Sequence, residues 1–559
     1  ITPVLACDDK TIKVLQGSEL NYEVQLGDIA NVLHLFMNDG GFSKQRVLYG
    51  TKDGRIGLVD LPPTDGTLVW EIPTQSTSAV TSIHCYAITG SGCPDIIIGK
   101  EDGLIEIYVV DFSDQASFKK SFQCEESIVS LQCGRVSSES FDEIVVCTYT
   151  GWVFALSTEP VEKPRKDALT TLAPHLEVKI QQVRNELEEL EQKVSEERQR
   201  YHQLTLQEGS AVAVLPRFAV QDHFTLDKSL ACYTLSIELI VPIDYILLQS
   251  DVGVELLDVE KNSAVVSVTT PDEKSGNALL ATYRCQANTT RIEMRIRSIE
   301  GQYGTVQAYI CPKIHPKMCQ VRAYSIKPLS LHQRVHEFDT SRPLNVLRIT
   351  GNFSLSEAHQ WINLLVSQVP ERVPPQESVT FNFASTFDGG TQLQATYSRG
   401  SAVYRSDNIS TIAIVRDVLS KEVTRRHIKV DIQCEMNEES VAHTLQLLRP
   451  KLVYQNNLTR RLQLAQALKE LSDNGDDLSY LSAEMRDLLE SYDKLHEEAL
   501  TCGVHLDRLI GIITDLYIDK ERMAGRNGKA KIEELLRTLS QYDAATLHNF
   551  FMGKSGTQQ

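Results

Sequence analysis

The sequence predicts a multidomain chain: a partial β-propeller, a coiled coil, a β-sandwich, an α/β platform and a C-terminal helical region. Three observations carry this. A turn glycine recurs at Gly54, Gly103 and Gly151, spaced 49 and 48 residues apart. A heptad register, broken once at Glu197, comes after it. Period-two alternation then takes over for more than a hundred residues.

The repeat comes first. Arg46–Asp60, Asp95–Val109 and Glu143–Ser157 each read as an apolar strand, a tight turn and a second alternating strand. Asp53-Gly54 and Asp102-Gly103 are the pair that tolerates positive φ in a hairpin. Val4–Leu15 reads as a fourth, degenerate copy. A hairpin every 45–50 residues is the signature of a propeller. About three and a half blades are visible over 1–160, too few for usual closure. With Ile1 rather than Met at the start, the chain reads as part of something longer, with blades expected before Ile1.

After Pro160 and Pro164 the period becomes 3.5. Leu169, Ala173, Leu176, Ile180, Val183, Leu187, Leu190 and Val194 alternate in steps of four and three, and Tyr201 and Leu204 continue the frame. About five heptads over 165–207 predict a coiled-coil seam. The expected interface is Leu169, Leu176, Ile180, Val183, Leu187, Leu190, Val194, Tyr201 and Leu204. Lys179, Glu186, Lys193 and Arg200 on one flank, with Glu177, Arg184, Glu191 and Arg198 on the other, mix both signs, which favours a chosen partner helix. A lone solvated helix would leave the whole stripe exposed.

Residues 210–328 alternate with period two. Ile292, Met294 and Ile296 share one face of Arg291–Arg297; Leu235, Ile237, Leu239 and Val241 share another, as do Val306, Ala308 and Ile310. Seven or eight strands predict a β-sandwich. Arg291, Arg295 and Arg297 line one strand face, read as the solvated side of an edge strand.

Over 330–448 strands and helices mix. Ser354-Leu-Ser-Glu is a capping box before an apolar helix through Trp361. Strands are expected at Val379–Phe383, Leu393–Tyr397 and Ile409–Val415, and a basic helix near Lys421–Arg426. The whole predicts an α+β platform. From 450 to 559, past Pro450, the chain reads as helical. One stripe is Leu506, Leu509, Ile510, Ile513, Leu516 and Tyr517, and a second is Ile532, Leu535, Leu536 and Leu539.

Composition excludes several function classes. Formal net charge is −18 over 559 residues, which disfavours nucleic-acid binding. No apolar run reaches the ~18 residues that span a bilayer. Twelve cysteines are scattered without a CxxC pair, arguing against a zinc site and for a reducing, cytosolic setting. There the four glycosylation patterns at Asn288, Asn352, Asn408 and Asn457 are chance matches. No Gly-x-Ser-x-Gly elbow, His-Glu-x-x-His or kinase set is present. Gly525-Arg-Asn-Gly-Lys-Ala fails the phosphate-loop pattern at Met523 and Ala530, and Gly90–Asp95 reads as a plain turn. The sequence assigns no catalytic residue, no metal ligand and no cofactor.

Several strings resemble one known family across the whole chain. They include Ile1-Thr-Pro-Val-Leu-Ala-Cys, Tyr149-Thr-Gly-Trp152, Lys261-Asn-Ser-Ala-Val-Val-Ser, Arg297-Ser-Ile-Glu-Gly-Gln-Tyr-Gly304, Ile326-Lys-Pro-Leu-Ser-Leu-His-Gln-Arg334 and Asp515-Leu-Tyr-Ile-Asp-Lys520. On these the chain resembles the Bardet–Biedl syndrome 7 family of the ciliary BBSome. The resemblance implies a seven-bladed propeller and a sandwich like the appendage, or ear, of clathrin adaptors. It implies a non-catalytic subunit of a coat that traffics membrane-protein cargo into and out of cilia and supports their assembly. Implied partners are other BBSome subunits, especially the second and ninth Bardet–Biedl proteins, with recruitment to membrane by an Arf-like GTPase. Implied locations are cytoplasm, cilium, the periphery of the ciliary membrane, basal body and centrosome or centriolar satellites. Two other readings compete. One is a propeller-based substrate receptor that binds peptides on the propeller top; the other is an enzyme with a discontinuous site.

Overall fold

In a computed structural model of the chain, the described residues are 3–36, 45–90, 93–110, 115–137, 139–160, 182–183, 185–187, 189–190, 192–194, 196–197, 218–228, 230–257, 259, 262–269, 276–286, 288–314, 317–387, 389–473, 482–540 and 544–552. The chain divides into two compact units, one of residues 1–297 and 305–325, the other of 298–304 and 326–559.

The first unit opens with four antiparallel meanders. Val4–Cys7, Thr11–Gln16 and Glu19–Gln25 form a three-stranded sheet. Ala30–Phe36, Gln45–Thr51, Arg55–Leu61 and Thr67–Pro73 form a four-stranded one, as do Val80–Tyr86, Asp95–Lys100, Leu104–Val110 and Ala116–Gln123. Ile128–Gly134, Glu143–Thr148 and Val153–Ser157 complete the set. These are the predicted blades. Each neighbouring pair shares an apolar layer, because both faces of the middle strands are buried. Ile12 and Val14 meet Val47 and Tyr49. Leu48 and Leu58 meet Ile83 and Ile98, and Ile97 and Ile105 meet Ile128 and Ile144.

The turn glycines have φ of 77° at Gly54, 84° at Gly103 and 85° at Gly151, the left-handed conformation the hairpins require. In the first, degenerate blade Lys10 holds the equivalent turn position with φ 63°.

Among the described residues the sandwich has nine strands. Val220–Asp227, Cys232–Leu239, Arg291–Ser298 and Val254–Leu257 lie side by side in that order; Ala264–Thr269, Leu279–Cys285, Ile243–Ser250, Gly304–Pro312 and Gln320–Ile326 form the second sheet. Alternation decides the inward faces as expected: Leu235, Ile237, Ile292, Met294, Ile296, Val306, Ala308 and Ile310 are all buried. Val241 falls outside the strand, which ends at Leu239.

The basic row is not the solvated side of an edge strand. Arg291–Ser298 sits between two other strands. Arg297 is 1% exposed and donates through Nη2 to the Leu230 carbonyl at 3.0 Å and through Nε to the Ala231 carbonyl at 3.4 Å. Arg291 donates to Glu293 at 2.5 Å. Arg297 anchors the sheet, because the turn at Ala231 (φ 47°) leaves carbonyls that need a donor.

The second unit begins with a six-stranded antiparallel sheet in the order His332–Val335, Ser378–Ser385, Gln392–Ser398, Ser401–Ser406, Asn345–Gly351, Val430–Glu435. Helix α1 (Leu355–Leu365) carries the predicted capping box: Ser354 and Glu357 each accept from the other's backbone N–H. It seats Trp361, fully buried, against Phe353 at 4.7 Å between ring centres.

Ile409–Val415 is not a strand. It opens helix α2 (Ile409–Arg425), whose N-cap Asn408 accepts from the Ser410 N–H. The β-branched run reads equally as strand, but Ile412, Val415, Leu419 and Val423 are buried at helical spacing in the platform core. The strand of this region is Ser401–Ser406 instead.

Among the described residues of this unit the further α-helices are α3 (Glu439–Asp473), α4 (Ala483–Glu490), α5 (Tyr492–Met523), α6 (Ile532–Ser540) and α7 (Ala544–Phe551). Pro450 does not start the helical region, since α3 begins eleven residues earlier and runs through it. The proline removes the donor that Gln446 would otherwise meet. Val441, Leu445 and Leu448 before it and Leu452 and Leu458 after it are all buried, which holds one helix across the defect. On α5, Leu509, Ile513, Leu516 and Tyr517 are buried as the stripe predicted. On α6, Leu535 and Leu539 are buried, while Leu536 is 42% exposed.

Candidate interaction surfaces

The heptad segment supplies the first surface. Its described residues between 182 and 197 are helical. Val183, Leu187, Leu190 and Val194 are 56%, 57%, 60% and 51% exposed. Their spacing of four, three and four places them on one helical face. Leu169, Leu176, Ile180, Tyr201 and Leu204 lie outside the described residues. Four large apolar side chains in a row, each more than half exposed, form a contiguous patch of the kind that marks an interface.

The second surface is already occupied. Three blades present the loops beside their glycine turns to the sandwich, all within the first unit. Lys228, from the turn between two sandwich strands, reaches Asp53 at 2.7 Å and Asp28 at 3.6 Å. Lys10 meets Asp28 from the other side at 3.1 Å, both side chains buried. Burial opposes ionisation of Asp53, but the charge and hydrogen bond of Lys228 outweigh it and hold its carboxyl below the ordinary range. Burial also pulls Lys10 below the usual lysine range, partly offset by Asp28.

Farther along the same face, His223 lies 3.4 Å from Glu101. Ser127 donates to Glu238 through its hydroxyl at 2.5 Å and its N–H at 3.2 Å, and Thr77 donates to Asp227 at 3.2 Å. On these blades the sandwich is held to the propeller by these contacts.

Sequence reasoning missed Lys10, Lys228 and Glu238. The one available signal was Lys10, a charged residue standing where the other repeats carry glycine. Among the described residues no group of three or more His, Cys, Asp and Glu is placed to hold a metal ion. No described helix is long and apolar enough to cross a membrane.

Family models described as the BBS7 beta-propeller, the BBS7 GAE domain, the BBS7 platform domain and the BBS7 hairpin match residues 1–158, 216–324, 332–435 and 438–551. The chain belongs to the BBS7 family. The BBS7 hairpin match begins at 438, where α3 begins, rather than at Pro450. A mouse relative, "BBSome complex member BBS7", is 46% identical over 556 residues, covering 99% of this chain and 77% of the relative. The Caenorhabditis elegans "BBSome complex member bbs-7" is 42% identical over 543 residues, covering 96% and 75%. Among solved structures, a crystal structure of BBS1N in complex with ARL6DN is 13% identical with a TM-score of 0.21, covering 28% of this chain and 45% of that one, and bears no argument about partners.

Proposed function

We propose that this chain is a non-catalytic structural subunit of the BBSome, a coat-like adaptor that carries membrane proteins to and from primary cilia. The observation that carries this is the family match along 99% of the chain to a relative described as a BBSome complex member. The heptad stripe is its pairing element: Leu169, Leu176, Ile180, Val183, Leu187, Leu190, Val194, Tyr201 and Leu204 pack into the matching seam of another subunit, with the second and ninth Bardet–Biedl proteins as first candidates. The exposure of Val183, Leu187, Leu190 and Val194 supports this, since pairing removes that surface from water. An Arf-like GTPase recruits the assembled coat to membrane, and the protein works at the cilium, the basal body and centriolar satellites.

The test is co-expression of the full chain with each candidate subunit, read by mass and helicity, beside a Leu187→Asp, Val194→Asp variant. Both positions are exposed, so the lone chain folds as before, while a charge in the seam removes the pairing. Stable association with another subunit, abolished in the variant, is the expected result. Indifference to the substitutions, or self-pairing alone, refutes the seam as the pairing element.

A further inference from the structure

Within the second unit a cavity of about 330 Å³ lies between α2, α5 and the loop 299–303. That is at the lower end of the range for ligand sites, ~300–1,000 Å³. Its walls carry aliphatic surface from Ile414, Ile512 and Ile518. Its charged lining is unbalanced. Glu300, Asp417, Asp515 and Asp519 face Lys421, Arg508 and Arg522. Glu300 is bound to His332 at 2.8 Å, and Asp417 is paired with Arg522 at 2.6 Å and Arg416 at 2.9 Å. Asp515 and Asp519 are left one helical turn apart on α5, with no ion pair among the described residues. Like charges at that spacing repel.

Both carboxyls are raised above the ordinary range. Asp515 is itself exposed at the cavity's edge, and its rise, from the desolvation of the wall beside it, is opposed by Arg508. Asp519 is pushed up to about 6, first by burial, then by Asp515 on its own helix and Asp417 on α2; Ser410 and Arg522 oppose. Arg508 gives a second, independent sign. It lines the same cavity, is 7% exposed, and its Nε donor meets no acceptor among the described residues. A buried guanidinium N–H without an acceptor is costly, so the cavity is short of an oxygen acceptor for the arginine, while Asp515 and Asp519, which feel Arg508 and Arg522 but form no ion pair with them among the described residues, leave carboxylate oxygens for a further cation.

We propose that this cavity receives one basic residue of a peptide: a lysine or arginine head between Asp515 and Asp519, its aliphatic stem along Ile512 and Ile518, and a backbone carbonyl accepting from Arg508. A free inorganic cation would leave Arg508 unmet, and an anion would meet the aspartates with like charge. The inference does not rest on the heptad seam, and its failure leaves the coat reading standing.

The test uses the full chain and three probes: the N-acetyl N-methylamides of lysine, norleucine and glutamate, followed by saturation-transfer NMR. The lysine probe is expected to bind saturably at pH 7.5 with Kd on the order of 1 mM. Norleucine and glutamate are expected to bind about tenfold more weakly or worse. An Asp515→Asn, Asp519→Asn variant, which relieves repulsion and so keeps its fold, is expected to lose the preference for lysine. In the unaltered chain the lysine probe weakens between pH 7.5 and 5.5, as Asp519 takes up a proton amid Asp515, Arg522, Asp417, Lys421 and Glu300. This readout needs no variant. Absence of saturable binding, equal binding of norleucine, preference for glutamate, or a lysine affinity indifferent to both pH and the substitutions overturns the proposal.

Discussion

Replacing the three turn glycines by alanine separates two costs that the sequence makes look identical. All three have φ between 77° and 85°, where an L-residue loses about 1–2 kcal/mol. Their surroundings differ. A Cβ on Gly54 would lie 2.4 Å from the Ser76 carbonyl oxygen and 2.8 Å from that of Ser78. On Gly103 it would lie 2.3 Å from the Cys124 oxygen and 2.6 Å from the Glu126 oxygen. On Gly151 it meets nothing within 4 Å. Gly151→Ala therefore costs the conformational term alone, about 1 kcal/mol. In the other two, backbone has to move. The bonds that tie those loops down, Thr74 N–H to the Gly54 carbonyl at 3.1 Å and Cys124 N–H to the Gly103 carbonyl at 2.9 Å, go with it. Adding about 1 kcal/mol for each lost bond and a similar amount for displacement gives roughly 3 kcal/mol or more. Native-state hydrogen exchange reads the difference blade by blade. Amides of Val153–Ser157 should exchange about fivefold faster in Gly151→Ala. Those of Arg55–Leu61 in Gly54→Ala and Leu104–Val110 in Gly103→Ala should accelerate more than about a hundredfold. Equal effects at all three positions would refute the reasoning, because the clash would then contribute nothing. Lys10, which holds φ 63° in the first blade without a glycine, is the natural precedent for the cheaper case.

Lys228→Met removes the cation between Asp53 and Asp28 and should weaken the sandwich's hold on the propeller face by about 1–3 kcal/mol, seen as faster exchange across Thr51–Arg55 and Asp227–Tyr233. Because the folded state holds the Asp53 carboxyl below its ordinary 3.8, that stabilisation is present above about pH 4 and lost as pH falls further; the variant should lack this acid dependence. Ser354→Ala removes one half of the capping box on α1 and should cost about 1 kcal/mol in denaturant unfolding of the second unit. Asp519→Asn should act in the opposite direction. The folded state raises this carboxyl from 3.8 to about 6, so ionisation above pH 6 costs up to about 3 kcal/mol. The variant should be more stable than the parent at pH 7.5, with the gain shrinking as pH falls through 6 and gone near pH 4.

What the sequence made legible was everything carried by contiguous residues. Gly54, Gly103 and Gly151 announced the blades because each lies in its own local hairpin, and Ile292, Met294 and Ile296 announced a buried strand face because alternation is a local property. Where the local signal was ambiguous, the tertiary environment decided. Ile409-Ser-Thr-Ile-Ala-Ile-Val has the β-branched content of a strand, but the core beneath it accepts side chains at three- and four-residue spacing, and Asn408 caps the turn. Pro450 is an ordinary stop signal overridden by buried leucines on both sides. Arginines at alternate positions looked solvated until the strand acquired a neighbour on each edge.

The same distinction sorts the candidate surfaces. The heptad stripe is readable because its residues are neighbours in sequence. The propeller–sandwich contact joins Lys10, Asp28 and Asp53 to Lys228, and the cavity joins residues near 300, 415 and 515. Periodicity shows which side of a strand or helix turns inward, but not which charges meet there. Asp519 is a case in point: on a solvated helix it would be an unremarked neighbour of Asp515 one turn away, and the surroundings supplied by α2 and the loop 299–303 help make its ionisation costly. If the lysine probe binds and Asp519→Asn stabilises the unit at pH 7.5, both results have one cause: α5 holds negative charge that Arg508 and Arg522 offset only in part.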